Sequence, residues 1–124
     1  MRVASASEDS TVRIWDAADG SQIQTYRNHS GPVRDVVFSH DGKYVVSSGD
    51  DGVHVWNSHT GELVRTLSGH DGPVYCCDIA ADGERIATAA QDGSVWLWNV
   101  KNGQRVTVKG TSTLELRGAR ILEN

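Results

Sequence analysis

Thr11-Val12-Arg13-Ile14-Trp15-Asp16 returns twice along the chain, as Val53-His54-Val55-Trp56-Asn57 and as Val95-Trp96-Leu97-Trp98-Asn99. Each copy is a short β-branched and aromatic run that closes on a tryptophan followed by Asp or Asn. Trp15, Trp56 and Trp98 lie 41 and 42 residues apart, and a glycine follows each by five positions, at Gly20, Gly61 and Gly103. Two further landmarks keep the period. His29-Ser30-Gly31-Pro32-Val33 and His70-Asp71-Gly72-Pro73-Val74 are 41 residues apart, as are Asp41-Gly42 and Asp82-Gly83. A fixed period near forty residues marks a repeat architecture, in which one supersecondary unit is stacked several times.

The period also locates its own irregularity. Asp9 to Asp51 is 42 residues and Asp51 to Asp92 is 41, the reverse of the Trp spacings. One residue is therefore missing from the middle repeat between Asp51 and Trp56, in a turn after Asp51-Gly52, where a shorter loop is tolerated best. Within a period the pattern is strand and turn. Val33 to Phe38, Tyr44-Val45-Val46, Val53 to Trp56 and Leu63 to Leu67 are short runs separated by Asp41-Gly42, Asp50-Asp51-Gly52 and Thr60-Gly61. No window carries apolar residues at helical spacing over three turns. Four short strands per period, each bounded by turn residues, predict four-stranded antiparallel units of an all-β propeller.

On these residues the chain resembles the WD-repeat β-propeller family. The resemblance rests on Gly69-His70 before a first strand, on the Asp-Gly turns, and on Trp15-Asp16 closing a third strand. It runs from residue 2 to about 110, with Asn28 in place of the Gly before His29, and Asn57 and Asn99 in place of the Asp after Trp. The expected organisation is a partial first repeat over 1–27, full repeats over 28–68 and 69–110, and a divergent tail over 111–124. Repeat one begins at its second strand, so eleven strands are expected, in an incomplete ring of about three blades. In the tail, Leu116, Ala119 and Ile121 stand at the same offsets from Trp98 as Val33, Val36 and Phe38 from Trp15. A degenerate twelfth strand or a frayed terminus both fit that match.

The resemblance also implies a hydrogen-bond network joining His, Ser or Thr, Asp and Trp within a blade. The positions are His29, Ser47, Asp51 and Trp56; His70, Thr88, Asp92 and Trp98; and, lacking a histidine, Ser5, Asp9 and Trp15. Ser47, His29 and Asp51 have the composition of a nucleophile triad. In the family, however, these groups lock strands together, and the structural reading is preferred. His40, His54 and His59 are expected as solvated residues without metal-ligand spacing. No phosphate loop, nucleophile elbow or calcium loop is present. The sequence points to no enzyme, cofactor or metal.

Candidate partner-binding residues fall in two sets. Ser30, Asp50 and Asp71 belong to connecting loops, which carry most recognition on rigid scaffolds. Arg13, His54 and Trp96 stand two before each Trp, on the same strand face. Blade-to-blade packing is the competing reading of Trp96.

With 12 basic against 16 acidic residues the net charge is −4, which argues against nucleic acid and anionic membranes as partners. No apolar run is long enough to span a bilayer as a helix. Cys76 and Cys77 are adjacent, a spacing that rarely permits a disulfide, and two thiols without a secretory signal fit a reducing, intracellular compartment. The expected function is a non-enzymatic scaffold binding other proteins. Starting in mid-blade suggests a fragment of a longer propeller, or an assembling part of one: two chains would bring about six blades, within the range that closes a ring. The alternative is a propeller with a catalytic or glycan-binding site in its central channel, for which the innermost strands offer only Asp35 and Asp78.

Overall fold

The computed structural model of the chain describes residues 1–109. The tail over 111–124, with its suggested twelfth strand, lies outside them. Eleven strands run in order: β1 (Arg2–Ala6), β2 (Val12–Asp16), β3 (Gln22–Tyr26), β4 (Val33–Phe38), β5 (Tyr44–Gly49), β6 (Gly52–Asn57), β7 (Leu63–Leu67), β8 (Val74–Ile79), β9 (Arg85–Ala90), β10 (Val95–Asn99) and β11 (Arg105–Lys109). They form three antiparallel sheets, ordered β1-β2-β3, β4-β5-β6-β7 and β8-β9-β10-β11. These are the expected blades, the first with three described strands. Among the described residues no helix is long and apolar enough to cross a membrane.

Turn chemistry explains the strand boundaries. In the second blade Asp41 Oδ1 accepts the Lys43 N–H at 3.0 Å, and Gly42 takes a φ of 75°, which a side chain would strain. The same Asp-Gly device recurs in the third blade, where Asp82 Oδ1 accepts from Glu84 N–H at 2.9 Å. After each Trp, the next side chain caps a turn through one oxygen: Asp16 Oδ1 accepts from Ala18 N–H, Asn57 Oδ1 from His59 N–H and Asn99 Oδ1 from Lys101 N–H. An amide oxygen accepts as well as a carboxylate here, so Asn replaces Asp without cost to the turn.

The missing residue shortens the β5–β6 hairpin to a two-residue turn, Asp50-Asp51, closed by the Gly49–Gly52 pair. Counted from the Trp, Gly52 stands where Thr11 stands in the first blade and Ser94 in the third. The second blade therefore has no hydroxyl at that position, and the site below depends on that.

Blades pack face to face. The Trp56 face of the second blade, with Val33 and Val45, meets Val12, Ile14 and Tyr26 of the first. Its opposite face, with Val46, Val53, Val55 and Leu67, meets Ile79, Ile86, Trp96 and Trp98 of the third. The innermost strands are also tied together, since Asp35 Oδ2 on β4 accepts the Cys77 N–H of β8 at 3.1 Å. Trp56 and Trp98 are 0% and 2% exposed, whereas Trp15, on the face of the first blade turned away from the second, is only half-buried beside an exposed Val3.

Candidate interaction rim and its histidine networks

In the second blade the expected groups come together. Ser47 Oγ accepts the Trp56 indole N–H at 3.1 Å and lies 2.7 Å from His29 Nε2. The Asp51 carboxylate beside Nδ1 can only accept, so the imidazole proton sits on Nδ1 and the Ser47 hydroxyl donates to Nε2. Nδ1–H then donates to Asp51 Oδ1 at 2.7 Å. The second carboxylate oxygen accepts the Ser30 N–H at 2.9 Å.

His54 extends this network. Expected as a solvated residue, it is instead 6% exposed, because it shares the strand face of Trp56 and sits opposite Ser47 in the β5–β6 register. Its ring stacks on His29 at 3.9 Å between centroids, its Nε2 lies 3.3 Å from Asp51 Oδ2, and its Nδ1 lies 2.8 Å from the Tyr26 hydroxyl of the first blade. Donation from Nε2–H to Asp51 and from the Tyr26 hydroxyl to Nδ1 satisfies every group with both imidazoles neutral. Burial holds the His54 pKa below its ordinary value, reinforced by the neighbouring His29. Asp51 loses hydration on burial, but the bonds from His29 and Ser30 outweigh this and hold its pKa below the usual carboxylate value.

The third blade departs from expectation in one link. His70 Nε2 lies 2.6 Å from Thr88 Oγ1, which accepts the Trp98 indole N–H at 2.8 Å. Its Nδ1, however, meets Ser94 Oγ at 2.8 Å, and Ser94 in turn donates to Asp92 Oδ1. Asp92 thus reaches the imidazole only through the hydroxyl that the second blade lacks. Trp96 is 9% exposed and stacks on His70 at 4.0 Å, under the guanidinium of Arg105, 3.9 Å from the indole centroid. Burial lowers the His70 pKa to about 4. In the first blade Trp15 donates to Ser5 Oγ at 3.0 Å, while Asp9 turns to Thr11 and to Arg13, 3.6 Å away.

The Ser47–His29–Asp51 connectivity is that of a hydrolytic triad, but Ser47 is 0% exposed. Substrate has no path to its hydroxyl. The nearest cavity, of about 170 Å³, is lined by Asp50, Asp51, Gly52, Ser68, Gly69, His70 and Gly72. Among the described residues His29, Asp51 and His54 form the one grouping of metal-ligand type, with donor atoms within 4.8 Å of one another. Their rings are inclined by only 18°, so the in-plane lone pairs run side by side and do not converge on a tetrahedral centre. On the innermost strands, Asp35 and Asp78 are engaged with backbone N–H groups, Asp35 with Val36 and Cys77, Asp78 with Ile79.

Of the candidate partner-binding residues, His54 and Trp96 are buried within blade junctions and unavailable at a free surface. Ser30, Asp50 and Asp71 are exposed at one end of the sheets. Asp50 pairs there with Arg34 at 2.9 Å. Arg13 is partly exposed and donates to Gln22 Oε1 at 3.0 Å.

The family model described as WD domain, G-beta repeat matches residues 1–16, 20–57 and 61–99. Nuclear distribution protein PAC1-2 of Uncinocarpus reesii is 47% identical over 47 residues, 38% of this chain and 10% of that protein. F-box-like/WD repeat-containing protein TBL1X of Mus musculus is 54% identical over 44 residues, 36% of this chain and 8% of that protein. Lissencephaly-1 homolog of Heterostelium pallidum is 43% identical over 47 residues, 38% of this chain and 11% of that protein. The matched segment therefore spans about a tenth of each relative's length. Three matched repeats, the blade topology and the His-hydroxyl-Trp networks give one conclusion: the chain belongs to the WD-repeat family.

Proposed function

We propose that the chain is a non-enzymatic, intracellular scaffold that binds other proteins through the rim carrying Ser30, Asp50 and Asp71. The observation that carries this reading is the contrast between that rim and the networks beneath it. The polar groups under the rim are consumed in holding strands together, while the loop side chains face solvent on a rigid base. The sealed Ser47 hydroxyl argues against catalysis. Cys76 and Cys77, buried as thiols and not joined in a disulfide, suit a reducing compartment.

The half-buried Trp15 face supports a further element of the proposal. It repeats the surface that in the other two blades is covered by a neighbour, so it is built to receive another blade, from a longer chain or from a second copy. Blade boundaries at 1–27, 28–68 and 69–110 are part of the same reading. Quantitative affinity capture from cell lysate tests the rim. A set of proteins retained by the wild type and by a Thr66→Ala control, but lost with Asp50→Ala/Asp71→Ala, is the expected result. Equal retention by all three removes the rim from the reading. Light scattering over a concentration series tests the open face: association should weaken when Val3 is changed to Glu.

A further inference from the structure

The two blade junctions differ at the end of the sheets opposite the rim. At the first junction the Arg2 side chain crosses from β1 to the second blade. Its guanidinium donates to Gly42 O at 2.7 Å and to Ser58 O at 3.4 Å, and lies over the Phe38 ring at 5.2 Å. Gly42 O also accepts the Ser58 hydroxyl. A long cationic side chain thus plugs the junction between the first two blades.

The register identifies the corresponding residues one junction later. Tyr44 pairs with Asn57 as Arg2 pairs with Asp16, so Tyr44 stands where the plug should be. Gly83 corresponds to Gly42 in the Asp-Gly turn, and Val100 corresponds to Ser58, two residues after the Trp. Both donors to the turn carbonyl have been lost, one to Tyr and one to Val. What remains is a hollow of about 350 Å³ between the second and third blades, floored by Val55, Ile79 and Val100 and flanked by Tyr44 and Val64. Glu84 stands on its wall where the second blade has Lys43, so a base has been exchanged for an acid. Glu84 pairs with Lys101 at 2.6 Å, and Arg65 is held at the outer lip by donating to Lys101 O at 3.0 Å.

We propose that this hollow is a docking site for an arginine side chain of a partner polypeptide. The incoming guanidinium would take the place Arg2 occupies one junction earlier. It would donate to Gly83 O and Val100 O, lie against the Tyr44 ring, and share the Glu84 carboxylate with Lys101. Its methylenes would cover the apolar floor. The site is separate from the rim and does not depend on the rim binding anything.

The test titrates the full chain with Nα-acetyl-arginine amide while methyl resonances of Val64, Ile79 and Val100 are followed by NMR. The neutral isostere Nα-acetyl-citrulline amide and the acidic Nα-acetyl-glutamate amide serve as comparison probes. Saturable shifts at those methyls with the arginine probe are expected, with citrulline about tenfold weaker because it lacks the charge. Glu84→Gln should weaken the arginine probe about fivefold by removing the carboxylate's charge. Tyr44→Arg should abolish binding by restoring the built-in plug, with thermal melting checked to show that the variant folds. Val100→Ser places beside Gly83 O the hydroxyl that Ser58 holds beside Gly42 O together with Arg2, so it should keep the arginine probe; Glu84→Gln serves if Tyr44→Arg does not fold. Equal response to citrulline, response only to glutamate, undiminished binding in Tyr44→Arg or, where that variant does not fold, in Glu84→Gln, or no saturable shift would each overturn the proposal.

Discussion

Replacing Thr88 by Val separates hydrogen bonding from packing at the centre of the third blade. Valine has the shape of threonine, so no cavity opens, and the residue is 0% exposed. What disappears is the oxygen that accepts the Trp98 indole N–H at 2.8 Å and meets His70 Nε2 at 2.6 Å. Trp98 is itself 2% exposed, so its N–H finds no water, whereas His70 is partly open. A buried group stripped of its partner costs about 1–3 kcal/mol, which gives about 2–4 kcal/mol for this pair with the imidazole weighted toward the low end. For a domain near a hundred residues that corresponds to a fall of roughly 10–25 °C in Tm. Urea unfolding at constant pH, followed by tryptophan fluorescence, measures it. Thr88→Ser is the control, because it keeps the oxygen and loses a methyl, at a cost of about 1 kcal/mol. The expected order of stability is wild type, then Ser, then Val. If Val matches or exceeds wild type while Ser is the weaker variant, the site is held by packing and the network argument fails.

Four further outcomes follow from the same geometry. Ser48 is 0% exposed with its hydroxyl unpartnered among the described residues, and Ala89 occupies its position in the third blade; Ser48→Ala should raise stability by up to about 1 kcal/mol, and a loss of that size in urea melts would contradict it. Asp51→Ala strips the acceptor from His29, His54 and Ser30 and should cost about 2–4 kcal/mol, whereas Asp92→Ala removes bonds from Ser94 and the Asp71 backbone but none from an imidazole and should cost about 1–2 kcal/mol; the reverse order would refute the relay through Ser94. His70 and His54 have folded pKa values below 6.5, so the unfolded chain binds more protons, and stability should be full above that pH and fall as pH drops toward about 4, with the lowered carboxylates Asp51 and Asp92 adding their loss only below about 3.8. An NMR titration placing the His70 midpoint above 6 would break this account. Cys76 and Cys77, 2% and 1% exposed, should react with a thiol reagent only at the rate of unfolding; rapid modification of either in native buffer would be incompatible with their burial.

The fold was largely legible because turn residues and tryptophans keep one period, and Val33–Phe38, Leu63–Leu67 and Val74–Ile79 emerge with the boundaries their apolar runs suggest. The networks were legible only in outline. Residue types and spacing located His70, Thr88 and Trp98, but Ser94 is an ordinary turn residue until its hydroxyl is seen between His70 and Asp92. The burial of His54 had a signal that composition hides. It stands two before a buried Trp, and the period of two in a strand puts it on the same packed face. Strand bulges, such as those at Val55/Trp56 and Val33/Asp35, left no trace, because any residue can absorb them. The Asp35 bond to Cys77 N–H joins residues 42 apart and depends on how two blades are set, which no local pattern encodes.

The Tyr26 contact with His54 gives the arc a reading direction. Tyr26 ends β3 opposite Val12, and Leu67 ends β7 opposite Val53, so the two are the same position in successive blades. Tyr26 presents a hydroxyl to His54, while Leu67 shares its buried cluster with Trp96. Each outer strand therefore carries the key to the lock on the blade that follows, polar to polar at one junction and apolar to apolar at the next. Exchanging the second and third blades would set Tyr26 against Trp96 and take from His54 the hydroxyl that Tyr26 supplies. That would strand a hydroxyl in an apolar seam and leave an imidazole nitrogen without its donor. Repeats that look interchangeable by their period are thus serially numbered, and gene rearrangements that shuffle them would be penalised at the seams while each blade remained intact.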